Sequence, residues 1–547
     1  MCYMRRGKIK VYTREPEECY TSSLGNSVHF AYWEEGWDYR SFYNNYGLLF
    51  AEAEISASNE IIEKGLVEPR ICYDSERGYC ITAIRANADG TPDESCKGKV
   101  LLWTTKDLIH FQPWGLVTEQ DIWAKGLDEI EVSEYLGRQA YMYWSTIKNT
   151  AIEVPECVTV SSLQELENVR AMAMYSDGSF AAKGVDWDCS QVDWNKPGIY
   201  PIKGRVRAPK YGFPLAMGYA DPDVTLWKGT YYYIATNDNT DDVGLYIRSA
   251  STVEQLFAPE TPEHLILDKD PERHLIQTFW APELHIIGEQ LYILFAVGGE
   301  QWAPKCHMMK LKEGGDPTKA EDWYDPVKVL DKEGQDLNTE GITLDMTYLK
   351  VRNRSYLVWS SRINCMAPGD TGSMLYIGEI EEACPERLIS DKVLLSRPLY
   401  GWENNAGTIN NEGPYPLLTR DAAYIMYSGG AAGGDSYVIG CLRIDLDGDL
   451  LNIEEWVKSP TALLSTASME EIYGPGHNAF TVDEEGDVLI TYHAQLVPGR
   501  GQRCTGIHRV HFAADGRPIL YMTPDRDLNE ALAQVQTKVR VVAECHK

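Results

Sequence analysis

The sequence has no excess of basic residues: 51 Lys and Arg stand against 81 Asp and Glu, a net charge of −30 over 547 residues. Nucleic-acid binding takes its affinity from Lys and Arg that neutralise phosphates, so this balance excludes a nucleic-acid partner and disfavours an anionic membrane surface. A long apolar run is also missing. Met1-Cys2-Tyr3-Met4-Arg5-Arg6 leads directly into charged and polar sequence, which predicts neither signal peptide nor membrane span and a cytoplasmic location. The 13 cysteines are odd in number and form no Cys-x-x-Cys pair. That usage fits reduced, mostly buried thiols and argues against both a disulfide framework and a zinc site. Amphipathic helical periodicity is scarce as well.

What is abundant is aromatic sequence, 11% of the chain with 33 Tyr and 15 Trp. Short Tyr/Val/Ile/Leu stretches punctuated by Gly, Asp and Asn recur throughout, which predicts an all-β protein. Gly229-Thr230-Tyr231-Tyr232-Tyr233-Ile234 returns in variant form at Gln290–Phe295, Arg354–Trp359, Ala423–Tyr427 and Asp487–Tyr492. Each unit follows a short segment with an acidic residue or a histidine. Taking Asp221, Glu283, Asp345, Glu412 and His477 as markers, the spacings are 62, 62, 67 and 65 residues. Five repeats of that length predict five four-stranded blades around a channel, with the marker side chains converging at one end of the axis. The competing reading is that these residues are turn formers at strand starts, which explains any one of them better than it explains the set.

Three regions follow along the chain: an N-terminal β-rich accessory domain over 1–150, a small module over 151–208, and the five-bladed propeller over 209–547. In the first, Arg77–Ile84 followed by Val100–Phe111 repeats the blade phrase and predicts a partial propeller-like or sandwich domain. In the second, period-two strands joined by Asp177-Gly178 and Pro197-Gly198 resemble a bacterial immunoglobulin-like sandwich.

Carboxylates converging on an aromatic-lined pocket are what glycosidic bond cleavage needs, one protonated to help the leaving oxygen and another ionised to activate water. Asp221, Asp345 and Glu412 can fill both roles. Ala220-Asp221-Pro222, Phe279-Trp280-Ala281-Pro282-Glu283-Leu284-His285, Ile342-Thr343-Leu344-Asp345, Asn411-Glu412-Gly413-Pro414, Tyr473-Gly474-Pro475-Gly476-His477-Asn478 and Tyr492-His493-Ala494 occur in order at blade spacing. Together they closely resemble glycoside hydrolase family 43, five-bladed propellers that cleave with inversion, over roughly 215–520.

The resemblance implies that Asp221 is the general base, that Glu412 is the general acid, and that Asp345 remains ionised, tunes Glu412 and orients the sugar. Inversion implies base and acid carboxyls about 6.5–9.5 Å apart. It further implies Arg509 as the arginine that holds sugar hydroxyls, a strand-surface salt bridge being its alternative. No cofactor is required. His477 corresponds to an axial histidine that coordinates calcium or ordered water in some members, although calcium's preference for oxygen makes one imidazole a weak anchor. Trp280, in preference to Phe279, is a candidate sugar platform, and Trp402 a candidate subsite wall. The function that follows is an inverting exo-glycosidase removing terminal α-L-arabinofuranosyl residues from plant-derived oligosaccharides. The alternatives are a β-xylosidase or β-galactosidase of the same family, and a non-catalytic carbohydrate-binding propeller.

Overall fold

Five antiparallel blade sheets, four of them four-stranded and the last five-stranded, dominate the computed structural model, which describes residues 6–118, 125–499 and 501–542. The opening residues 1–5, on which the reading of the N-terminus rests, lie outside them. Among the described residues no helix is long and apolar enough to cross a membrane.

The first four blades run in simple meanders, each beginning with the strand nearest the axis: Tyr219–Trp227, Gln277–Ile287, Gly341–Val351 and Glu412–Leu418. These first strands neighbour one another in sequence order. The fifth sheet contains Tyr473–Val482, Val488–Gln495, Cys504–Phe512 and Pro518–Met522, and takes one further strand, Ala216–Met217, from ahead of the first blade. Pairing the last blade with the chain that precedes the first removes a free sheet edge and closes the ring.

The first strands share a device that decides the site. In blades 1 to 4 two residues oppose one on the neighbouring strand, between Ala220 and Asp223, Trp280 and Glu283, Leu344 and Thr347, and Glu412 and Tyr415. The first residue of each bulge has a left-handed backbone: φ is 52° at Asp221, 45° at Ala281, 53° at Asp345 and 54° at Gly413. His477 holds the same conformation in blade 5, with φ 48°. A bulge re-aims its side chain out of the pleat, and left-handed backbone costs about 1–3 kcal/mol at a non-glycine residue, so the cores around it must enforce it. They are large: Phe279, Ile293, Phe295 and Trp323 pack between blades 1 and 2, and Leu294, Met346, Leu357 and Trp359 between blades 2 and 3.

Residues up to Ser145 belong to the same compact unit as the blades, with Phe213–Thr481 and Ile490–Ile507. They do not form the separate domain expected over 1–150, because Tyr20, Leu24, Tyr46 and Phe50 share one core with Tyr356, Tyr427, Trp402 and Trp456. Within this region Lys64–Asp74, Gly78–Asn87, Lys99–Thr105 and Gln112–Thr118 form a four-stranded meander. Its first strand carries the blade bulge, between Val67 and Arg70, with φ 48° at Glu68 before Pro69. The blade phrase read at 77–111 therefore marks one blade-like sheet. A helix over Glu134–Trp144, capped where the Ser133 hydroxyl accepts from Leu136 N–H, buries Gly137, Ala140 and Trp144. It is short, and only those three residues face inward, so its apolar period is faint in the sequence.

The second unit comprises Thr146–Gly212, Val482–Leu489 and His508–Lys547. One sheet orders Asn149–Glu153, Ala171–Tyr175 and Phe180–Lys183; the other orders Cys157–Val160, Gln534–Val541, Gly198–Val206 and Val185–Asp188. The strand Gln534–Val541 is central to the second sheet, parallel to Cys157–Val160 and antiparallel to Gly198–Val206. Residues 151–208 thus do not close a module alone, and the expected boundary at 208/209 is replaced by a unit that the C-terminal end of the chain completes. Val539 and Val541 supply the apolar side against which Val160, Leu166 and Ile202 pack.

Candidate active site

The bulges bring Asp221, Asp345 and His477 together with the Gly413 backbone. Asp221 is ringed by polar groups: Thr236 Oγ1 donates to Oδ2 at 2.6 Å, and His477 Nδ1 and His493 Nδ1 each stand 3.1 Å from Oδ1. Arg503 Nη1 lies 3.8 Å from the same oxygen and is held by Asp238, with Nε to Oδ2 at 3.0 Å and Nη2 to Oδ1 at 2.5 Å. His493 Nε2 lies 2.9 Å from the Ala432 carbonyl, and the Asp221 N–H points at Nδ1 at 3.2 Å.

Burial alone would raise the Asp221 carboxyl, but His477, Arg503 and His493 outweigh it and hold the group well below the usual carboxylate range. Burial pulls His477 down to about 4. Near neutral pH its ring is therefore neutral and donates an uncharged hydrogen bond, which leaves Arg503 as the lasting positive charge beside Asp221.

The other two carboxyls behave in the opposite sense. Burial raises Glu412 to about 7; the Tyr437 hydroxyl, which donates to Oε1 at 3.0 Å, opposes the shift, the Asp221 charge adds to it, and Arg362 and Arg503 oppose it. Asp345 is likewise raised well above its ordinary value, by burial first and then by the charges of Glu412 and Asp221. The expectation that Asp345 simply remains ionised is modified accordingly: Asp345 and Glu412 retain a proton between them under conditions where Asp221 is fully ionised. The Gly413 N–H donates to Asp345 Oδ2 at 3.0 Å and favours the charged form of Asp345, as the Tyr437 hydroxyl does for Glu412. Glu412 is also the most accessible of the three, partly exposed where Asp221 and Asp345 are buried.

Gly413 is required where it stands. A Cβ there would meet the His477 ring at 3.1 Å, and its φ of 54° is strained for any side chain.

Glu283, counted above with the converging residues, falls two positions past its bulge, in register with Asp223, Thr347 and Tyr415. Ala281 takes the bulge position in blade 2. Glu283 is buried and bonded to His285, Oε2 to Nε2 at 2.6 Å. Asp223 accepts from Tyr415 Oη at 3.1 Å and from the Leu284 N–H at 2.9 Å, making a second polar layer along the axis.

The aromatic candidates separate. Trp280 stands in the same register as Glu412, one residue before its bulge; its Nε1 donates to Asp242 at 2.8 Å and its ring meets the half-exposed Trp302 edge-on, centroids 6.4 Å apart. Phe279 is fully buried. Trp402 is also fully buried, its Nε1 bonded to the Pro460 carbonyl and its ring packed between Tyr400 and Tyr427. It is a core residue and no subsite wall, because Gly440 gives the indole a slot that a Cβ would fill.

Arg509 is likewise placed away from this cluster. Its guanidinium donates to Asp527 Oδ1 at 2.6 and 2.9 Å and to the Tyr175 hydroxyl at 3.0 Å, and Lys183 completes the pair at 2.5 Å from Asp527 Oδ2. The arginine at the site is Arg503, six residues earlier. Arg503 directly precedes the strand Cys504–Phe512 and Arg509 lies within it; both numbers are odd, so parity does not separate them.

An ionised carboxylate fixed by donors, a second carboxyl holding a proton near pH 7, and a tryptophan at the same end of a propeller axis define a glycoside-hydrolysing site. Comparison with known proteins agrees. The model of the family "Glycosyl hydrolases family 43" matches residues 214–518, more than half of the chain, and the chain belongs to that family; it is a glycoside hydrolase. It is 33% identical over 295 residues to an extracellular exo-alpha-(1->5)-L-arabinofuranosidase of Streptomyces chartreusis, covering 53% of this chain and 84% of that one. It is 29% identical over 324 residues to alpha-L-arabinofuranosidase B of Pyricularia oryzae, covering 57% of this chain and 64% of that relative's length. The structure of an alpha-L-arabinofuranosidase from Lactobacillus brevis is similar with a TM-score of 0.51 and 28% identity, over 57% of this chain and 97% of that one.

Proposed function

We propose that the enzyme removes terminal α-L-arabinofuranosyl residues from oligosaccharides by a single displacement with inversion. The observation that carries this reading is the opposed surroundings of Asp221 and Glu412 around one axis, Asp221 among Thr236, His477 and Arg503 and the buried Glu412 carboxyl beside Tyr437. Asp221 acts as the base. Both of its oxygens are engaged, Oδ2 by Thr236 and Oδ1 by His477, which suits a group that accepts a proton from water and disfavours one that must form a bond to carbon. Glu412 donates its proton to the departing oxygen, and Asp345 keeps that proton in place through its charge. Trp280 offers the apolar face of the sugar a wall, and Arg503 holds Asp221 charged. The choice of arabinofuranose and of exo action rests on the names of the relatives; a xyloside cleaved in preference on a panel of oligosaccharides would overturn it.

An axial ion is not part of this mechanism. His477 Nε2 is a buried nitrogen without a partner among the described residues. Calcium takes 6–8 oxygen ligands, and no group of three or more His, Cys, Asp or Glu among the described residues could hold a metal. The donor set therefore fits an ordered water on the axis better than calcium, which would draw the rest of its shell from water.

The pH dependence follows from the two shifts. The acid must be protonated, so kcat/KM on an oligosaccharide is expected to fall as pH rises through about 7, where Glu412 loses its proton. Asp221 stays ionised far into acid, so its titration adds no limb between pH 4 and 7. An activity still rising at about pH 9 would contradict the assignment of Glu412.

A further inference from the structure

The N-terminal region supplies a short hairpin whose contacts lead to Glu412. Strands Glu54–Ile55 and Ile61–Ile62 pair, and residues 56–60 form the turn between them. Glu60 Oε1 accepts from the Gly369 N–H at 2.8 Å. Arg397 donates to Asn59 twice, Nη1 to Oδ1 and Nη2 to the carbonyl, each at 2.9 Å, and reaches the Thr371 carbonyl at 3.4 Å. The hairpin therefore grips the loop 364–373 of blade 3 directly at Gly369 and, through Arg397, at Thr371. Just before it, Ala53 N–H donates to the Leu399 carbonyl at 2.7 Å, which ties the same stretch to the segment entering blade 4.

That loop is joined to the proposed acid in two ways. Ser373 pairs with the segment that ends at Glu412: its N–H donates to the Ile409 carbonyl and its carbonyl accepts from the Asn411 N–H, both at 2.9 Å. Asp370 holds the Arg362 guanidinium in a fork, Nε to Oδ1 at 2.8 Å and Nη2 to Oδ2 at 2.7 Å, while Arg362 Nη1 donates to Asn410 Oδ1 at 3.0 Å. A forked arginine is fixed in direction as well as in place.

We propose that this hairpin is a positioning element of the active site: Glu60 and Asn59 fix the loop 364–373 so that Asp370 keeps Arg362 facing the Glu412 carboxyl. The assignment rests on Glu412 being the acid. It gives residues 54–62 a role in catalysis in place of that of a detached accessory module.

The groups that act on Glu412 come from every blade but the second: Tyr437 from blade 4, Asp345, Arg362 and Cys365 from blade 3, Asp221 from blade 1 and Arg503 from blade 5. Arg362 is the one among them that the hairpin controls. Its charge favours the ionised carboxyl, so releasing it raises the pH at which Glu412 gives up its proton.

The test is the basic limb of kcat/KM against pH on an arabino-oligosaccharide. Arg362→Met is expected to move the limb upward by about 0.5–1 unit, and Glu60→Ala to move it the same way by less. Glu60→Gln, which keeps an oxygen for the Gly369 N–H, is expected to retain the wild-type profile. Thermal denaturation reports that the variants are folded, and Glu60 stands on an exposed turn whose side chain no core requires. If the limb is absent from Glu412→Gln but identical in wild type, Arg362→Met and Glu60→Ala, the positioning role is wrong and the acid assignment survives. If Glu412→Gln retains the limb, the acid assignment fails and this inference with it.

Discussion

Asp221→Ala is expected to lower kcat/KM by about 10²–10⁴-fold on every glycoside, whereas Glu412→Ala loses that much only on substrates with a poor leaving group. The difference follows from what each carboxyl does. Water must be deprotonated whatever leaves, so the loss of Asp221 is felt on aryl glycosides and oligosaccharides alike. A leaving group such as 4-nitrophenolate needs little protonation, so Glu412→Ala should retain most of its rate there and fail on an arabino-oligosaccharide. Steady-state kinetics with both substrates check it. Equal losses for Glu412→Ala on the two would show that its proton is not used in bond cleavage, and a small loss for Asp221→Ala would remove the base.

The second large effect separates Arg503, just ahead of the strand Cys504–Phe512, from Arg509 within it. Arg503→Met is expected to lower kcat/KM by about 10²–10³-fold, the size seen when one fixed electrostatic partner of a reacting group is removed. It should also bring in an acid limb, because Arg503 is the lasting positive charge that holds Asp221 ionised. Asp221 loses stabilisation of its charged form, its carboxyl rises, and activity then falls as pH drops through the new value. Arg509→Met is expected to leave kcat/KM of the folded enzyme unchanged while destabilising the protein by about 3–5 kcal/mol, since it strands part of the charge of a buried Asp527. Chemical denaturation alongside kinetics distinguishes the two. Lost catalysis in Arg509→Met without lost stability would return that residue to the site.

What could be read from the sequence was what repeats. Strand phrases at steady spacing fix the number of blades, and Asp-Pro, Ala-Pro and Gly-Pro at the strand starts mark the bulges. They do so because proline has no N–H to give to a sheet, and a bulge, where pairing is already broken, accommodates it readily. The markers were nonetheless out of register by one or two residues in two blades. Glu412 precedes its bulge and Glu283 follows its own by two, so equal spacing of acidic residues hid the true equivalence of Ala281 and Gly413 with Asp221.

The misplaced residues share a cause. Arg509 and Arg503 have the same strand parity, and Trp402 looks like a pocket wall until Gly440, thirty-eight residues later, is seen to make room for it. Both depend on which distant segment packs where, which one sequence does not encode locally. The same holds for the second unit, whose central strand Gln534–Val541 lies more than three hundred residues from its partners, and for the hairpin at 54–62, whose meaning lies wholly in the loop it touches.

In the proposed function, a single displacement releases arabinose from a chain end. Proton NMR of the first products from a (1→5)-linked α-L-arabino-oligosaccharide tests it most directly. The predicted result is free arabinose appearing first as the β anomer, beside a chain one residue shorter. Arabinose appearing first as the α anomer would contradict inversion and the role of Asp221 as a base.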